Sequence, residues 1–188
     1  RTMELSDEER ETIKDAFFLT DKKVIYVANV SESQIPNMET DPNVMKVKEY
    51  AKAEGAEVIV LCAKLEEELS ELDDEDKEML MQDYGIEESG LDKLIKASYS
   101  LLGLISFLTA GKQECRAWTI KNGTKAPQAA GKIHSDFERG FIKAEVVSYD
   151  DLMKYGSMNA TKEKGLVRLE GKDYIVKDGD IILFRFNV

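Results

Sequence analysis

Two short sequences stand where chemistry would be placed. Asn29-Val30-Ser31-Glu32 follows directly on the apolar, β-branched run Val24-Ile25-Tyr26-Val27-Ala28, and Cys62-Ala63-Lys64 completes a second such run that begins at Glu57. Open α/β folds bind ligands outside the carboxyl ends of their strands, which is the edge both sequences would occupy. An Asn side chain carries a donor and an acceptor in one plane and so suits the edge of a purine, while a free backbone amide beside it can read an exocyclic group. Alone, Asn-x-x-Glu also reads as a polar strand-end turn and Cys62 as a buried apolar strand residue. Their common position at that edge makes both sequences candidates for ligand contact.

Other residues invite chemistry less strongly. His134 is the sole histidine, and Asp136 or Glu138 would orient it as a general base. No nucleophile motif accompanies it, so a surface or packing role is the expectation. Glu66, Glu67, Glu68, Glu71, Asp73, Asp74, Glu75 and Asp76 lack the loop glycine and alternating spacing of a calcium site, and read as a solvated helix face. No Gly-x-x-x-x-Gly-Lys-[Ser/Thr] occurs, and Ala110-Gly111-Lys112 lacks both the glycine spacing and a preceding strand. Nothing recognisable cradles phosphates or fixes magnesium. Lys132, Arg139 and Lys143 are cations able to meet nucleic-acid phosphates.

The elements that position these residues fall into two electrostatically different halves. Residues 1–100 hold 12 Lys and Arg against 26 Asp and Glu, a balance of −14, whereas residues 101–188 hold 14 against 11, a balance of +3. An acidic half repels phosphate backbones, so nucleic-acid contact is expected of the second half, although +3 also describes an ordinary solvated surface. At 188 residues the chain can bury one sizeable core or two small ones, and two small units fit the charge division better. The two cysteines, Cys62 and Cys115, form no Cys-x-x-Cys, which points to reduced thiols in a cytoplasmic protein. The longest apolar run is far too short to span a bilayer.

Ser6 with Glu9 forms a capping-box pattern ahead of a helix over residues 7–18. Residues 24–28 read as a parallel strand covered on both faces. Asp41-Pro42 opens a helix that Gly55 stops, and a strand at 57–62 completes a β-α-β unit. Leu65, Leu69 and Leu72 mark a short helix, Asp73 caps another to about Tyr84, and Ser89 with Asp92 opens a third that is expected to run to about Leu108. Beyond Glu114 the pattern shortens to strands at 115–120, 141–148, 173–176 and 181–186, with Asp178-Gly179 as a hairpin signal and a helix around Tyr149 to Tyr155. A small mixed sheet crossed by one or two helices is the expectation.

The stretch from Ala126 to Phe141 matches no simple period. Together with Arg116-Ala117-Trp118-Thr119-Ile120 and Glu170-Gly171-Lys172-Asp173-Tyr174-Ile175-Val176-Lys177-Asp178-Gly179-Asp180 it closely resembles the C-terminal TGS domain of the YchF family, the Obg-like ATPases. Asn-x-x-Glu resembles that family's form of the base-recognition loop, where P-loop GTPases use Asn-Lys-x-Asp to read guanine. Cys62-Ala63-Lys64 looks like the Ser-Ala-Lys motif of these NTPases, with Cys62 in place of the usual Ser.

The resemblance, which covers nearly the whole chain from about Ser6, implies an α/β fold: a partial P-loop NTPase-type β-α-β unit followed by a β-grasp, ubiquitin-like TGS domain. Residues 1–20 would finish a helical coiled-coil arm, 21–103 would form the C-terminal part of the nucleotide-binding domain, and 104–188 the TGS domain. It implies adenine rather than guanine contacts at Asn29, Val30 and Glu32 with Cys62, Ala63 and Lys64, in a parent that hydrolyses ATP with magnesium, serves translation or stress and associates with ribosomes or ribosomal RNA. Lys132, Arg139 and Lys143 would belong to that ribosome-facing surface. The P-loop, magnesium ligands and hydrolytic residue of the family lie N-terminal to the segment matched, so this chain reads as a C-terminal piece inactive alone. The alternative is a non-enzymatic RNA- or protein-interaction module.

Overall fold

A computed structural model describes residues 3–111 and 114–187; Lys112 of the Ala110-Gly111-Lys112 sequence lies outside them. The chain divides into two compact units, Arg1–Ser98 and Tyr99–Val188.

In the first unit, helix α1 (Asp7–Ile13) starts on the expected box: Glu9 N donates to Ser6 Oγ, and Glu9 Oε2 accepts from Ser6 N at 2.8 Å. It ends well short of residue 18. A tighter turn covers Lys14–Ala16, and Phe17 takes a left-handed backbone (φ 50°). Strand β1 (Ile25–Asn29) pairs in parallel with β2 (Glu57–Leu61), joined through α2 (Pro42–Ala53), whose first amides donate to Asp41. Ile59 and Val60 of β2 are buried as expected, but Val27 of β1 is 47% exposed. Among the described residues two strands pair in this unit, and Val27 leaves part of one face of β1 open to solvent.

Helices α3 (Ala63–Glu71) and α4 (Asp74–Asp83) follow, with Leu65 and Leu69 in a core shared with Val30, Ile35, Val44, Val60 and Cys62. Leu72 falls outside α3 and is exposed. Helix α5 (Gly90–Leu102) begins at the Ser89–Asp92 box but stops six residues before Leu108, where Gly103 adopts φ +64° and Leu104 enters a strand.

The acidic cluster is not wholly solvated. Glu66 reaches the start of α5, its carboxylate accepting from Gly90 N at 2.7 Å and Leu91 N at 3.1 Å, two amides without a partner inside the helix. The approach is close enough that a Cβ on Gly90 would lie 2.7 Å from Leu61 Cβ.

The second unit is a mixed five-stranded sheet. Strands β3 (Leu104–Ala110), β4 (Cys115–Lys121), β5 (Phe141–Ser148), β6 (Arg168–Glu170) and β7 (Asp180–Phe186) lie in the order β4-β3-β7-β5-β6, and only β3 and β7 run parallel. The stretch without a period folds as two short helices, α6 (Ala126–Gly131) and α7 (Ser135–Arg139). Ala126, Ala129 and Ala130 are fully buried, small enough to seat α6 against Phe107, Ile120, Val146 and Phe184. Helices α8 (Tyr149–Tyr155) and α9 (Met158–Glu163) complete the unit.

Residues 173–176 do not form the expected strand; Ile175 makes a single bridge to Lys125, and β6 pairs with β5 instead. Asp178-Gly179 splices onto β3 rather than turning a hairpin: Asp178 Oδ1 accepts from Ser106 N at 2.7 Å, and Gly179 N donates to Ser106 O at 2.9 Å. Gly140 has an ordinary φ of −92°, yet its Cβ would fall 2.2 Å from the carbonyl oxygen of Asn187, whose N–H donates to Gly140 O.

A buried polar knot holds the base of β7. Asp180, 3% exposed, accepts from Tyr174 Oη at 2.6 Å, Lys177 N at 2.9 Å and Arg168 Nη2 at 3.3 Å. Burial, reinforced by the bond to Asp180, pushes the Tyr174 hydroxyl up to about 12. The unfolded chain ionises this phenol nearer 10, so its stabilising contribution is complete below pH 10 and is lost as pH rises towards 12. The stability difference between wild type and Tyr174→Phe should therefore narrow over that interval, measured by urea unfolding at stepped alkaline pH. A constant difference would contradict the assignment.

Candidate functional site

The parallel register aligns Asn29 with Leu61, so the two strands end together and release their loops at one edge. Asn29 is exposed, and its Oδ1 accepts from Ala63 N at 3.0 Å, which binds the first loop to the first turn of α3. Glu32 and Lys64 close the same two loops from the side, with Nζ to Oε2 at 2.8 Å; Lys64 also stands 3.6 Å from Glu68 Oε1 one turn along α3. The hydrogen bond and charge of Glu32 hold the Lys64 ammonium above the usual lysine range. Of the six residues expected from sequence, Asn29, Glu32, Ala63 and Lys64 thus meet in two contacts between the loops, and Cys62 leads into α3.

Val30 and Cys62 are buried, at 6% and 5% exposure, and both pack in the core of the unit. The backbone amide next to Asn29 is not free, because Val30 N donates to Leu61 O at 2.9 Å and extends the ladder by one bond. The buried Cys62 thiol is the apolar strand-end residue, and its carbonyl accepts from Glu66 N.

Sequence reasoning missed the frame around the loop. Ser31 and Gln34 form a reciprocal box, with Ser31 N donating to Gln34 Oε1 at 2.9 Å, and Gln34 Nε2 reaches Asp41 Oδ2 at 2.9 Å. The signal was available as Ser-x-x-Gln opening a turn that contains Pro36.

The three candidate cations of the second unit lie on or beside different elements. Arg139 is held by Asp136 at 2.5 Å, Lys132 follows α6, and Lys143 lies on β5 opposite Arg185. Lys132 and Lys143 are exposed. His134 caps α7, its Nδ1 accepting from Asp136 N at 3.1 Å, so it serves structure. Among the described residues no group of three or more His, Cys, Asp and Glu is placed to hold a metal ion, and no helix is long and apolar enough to cross a membrane.

Residues 104–187 match the family model described as "YchF-GTPase_C: Protein of unknown function (DUF933)". Over 188 residues the chain is 57% identical to the ribosome-binding ATPase YchF of Bacillus subtilis (strain 168), covering 100% of this chain and 51% of that protein. The chain belongs to the YchF family. It is 49% identical to the Escherichia coli O157:H7 ribosome-binding ATPase YchF, again over 100% of this chain and 51% of that protein. The solved Schizosaccharomyces pombe YchF GTPase superposes with a TM-score of 0.83 at 35% identity, over 98% of this chain and 49% of that one. A GTP binding protein from Pyrococcus horikoshii OT3 shares the fold at 18% identity, with a TM-score of 0.59 over 87% of this chain and 45% of that one. This YchF-family chain spans about half the length of the curated relatives it matches.

The contact between Asn29 and Ala63 sets a local test. Asn29→Ala removes the acceptor and should destabilise the unit by about 1 kcal/mol, with faster exchange of the Ala63 amide. Asn29→Asp keeps an oxygen there and should preserve that amide's protection, as read by hydrogen–deuterium exchange.

Proposed function

We propose that this chain supplies base recognition and a docking module to a ribosome-associated, ATP-hydrolysing protein. The observation that carries this reading is the pairing of Asn29 Oδ1 with Ala63 N at the common edge of two parallel strands, which engages the Asn29 oxygen and the Ala63 amide with each other. Asn29 Nδ2 is a donor for a purine ring nitrogen, and the Val30 carbonyl is an acceptor for an exocyclic amine. The Ala63 amide, which could otherwise donate to a guanine O6, is taken by Asn29. Donor to ring nitrogen with acceptor from amine is the adenine pattern.

In this reading residues 21–103 are the C-terminal part of a P-loop NTPase-type nucleotide-binding domain, residues 1–20 finish a helical arm, and residues 104–188 are a TGS domain of β-grasp form. The mixed sheet crossed by α6 and α7 supports the last assignment. ATP is the nucleotide. The groups that would hold its phosphates and magnesium are not recognisable in this sequence, so catalysis belongs to residues outside it, and the working compartment is the cytoplasm. The relatives named as ribosome-binding ATPases support a ribosomal partner, met through Lys132 and Lys143 more than through Arg139, whose charge Asp136 already answers.

Titration with ATP tests the first part. Without phosphate contacts the affinity should be weak, with a Kd on the order of 1 mM. Asn29→Asp, which keeps the loop tie but loses the donor, should abolish saturable binding, while His134→Ala should leave it unchanged. A chain that binds no ATP but still co-sediments with ribosomes would favour the purely interacting module. For the second part, charge reversal of Lys132 and Lys143 together should reduce ribosome co-sedimentation and its salt dependence; unaltered pelleting would remove those residues from the interface.

A further inference from the structure

The Glu32–Lys64 ion pair is of little value to stability: the two side chains are 34% and 64% exposed, and pairs of that kind contribute little against solvent. Its position gives it another meaning. An ionised carboxylate only accepts hydrogen bonds. Along the pairing edge guanine presents two donors, the ring N1–H and the 2-amino group, whereas adenine presents a bare N1 lone pair and no 2-amino group. A carboxylate left free beside the base would therefore favour guanine and repel adenine. Glu32 is not left free, and its extra methylene relative to Asp gives it the reach to meet Lys64 on the neighbouring loop.

We infer that Lys64 is a specificity-determining residue that, by holding the Glu32 carboxylate, withholds from the base the acceptor guanine requires. The inference rests on the base-recognition reading given above and adds to it the residue that biases the choice. The Asn29 carboxamide oxygen is engaged in the same way, by Ala63 N, so that oxygen and Glu32 Oε2 are both tied to the Cys62-Ala63-Lys64 loop. The hydrogen bond to Glu32 raises the affinity of Lys64 for its proton, so Lys64 keeps its ammonium throughout the neutral range. Lys64 acts through Glu32 and is a positioning residue.

Chemical-shift titrations with ATP and with GTP, on the whole 188-residue chain, decide the matter. Lys64→Met keeps an apolar stem of similar length and removes the charge at an exposed position, so the fold is retained. It should raise GTP affinity relative to ATP by about tenfold, the scale of one bidentate base contact. Lys64→Arg should keep the wild-type ratio, and adding Glu32→Gln to Lys64→Met should cancel the gain for GTP. An unchanged ratio in Lys64→Met with ATP binding intact would overturn the inference and leave the base site standing. Equal loss of both nucleotides would also overturn it, assigning Lys64 to packing on the base. Failure of the wild-type chain to bind either nucleotide saturably would remove the base site and this inference together.

Discussion

The hydrogen bond from Ala63 N to Asn29 Oδ1 is the constraint from which the organisation of the first unit follows. Parallel strands cannot be joined by a tight turn, so β1 and β2 require α2 between them and deliver both carboxyl ends to one edge. Loops leaving that edge would otherwise diverge, each with unpaired amides. Asn29 closes the gap by satisfying an amide in the first turn of α3, and this fixes where α3 begins. Its start then dictates that Leu65 and Leu69 face the core, that Cys62 is drawn inward, and that Glu66 points to the first amides of α5. One side-chain oxygen thus coordinates a strand end, a helix start and, through Glu66, a second helix start.

The second unit uses a different device. Its sheet packs against one alanine-rich helix, α6, where closeness of approach replaces bulk, and the start of β7 is held by the Asp180 knot. A carboxylate at 3% exposure is costly unless its lone pairs are answered, and Tyr174, Lys177 N and Arg168 answer them. Those three partners come from the irregular segment before β7 and from β6, so the knot orders a stretch of chain that has almost no ladder bonds of its own. The result is a rigid connection made from side chains rather than from strand pairing.

Legibility in the sequence followed the range of the interaction. Ser6, Asp41, Asp73 and Ser89 were readable as helix starts because a cap acts over three residues, and β1 and β2 were readable from their unbroken apolar runs. Leu104 to Leu108 read as more helix, since the run is equally apolar in either period; Gly103 and the pairing with β4 decide for strand. Residues 173–176 had strand composition, yet their bonds go to Thr124 and Lys125, far away in sequence. The candidate base loop was legible as two sequences, but the bond between Asn29 and Ala63, the capture of the Val30 amide and the role of Glu66 link residues 24 to 34 positions apart or depend on register. No local pattern encodes those.

Gly140 carries a constraint of a kind different from that of most glycines. Its backbone torsion suits any residue, and what forbids a side chain is the Asn187 carbonyl occupying the space a Cβ would need. A position of this sort tolerates neither alanine, the usual benign replacement, nor any larger residue, since relief would have to come from displacing backbone. Drift at residue 140 therefore has to be matched by a shift of the whole end of β7, which ties the evolutionary freedom of the segment between α7 and β5 to that of residues nearly fifty positions later.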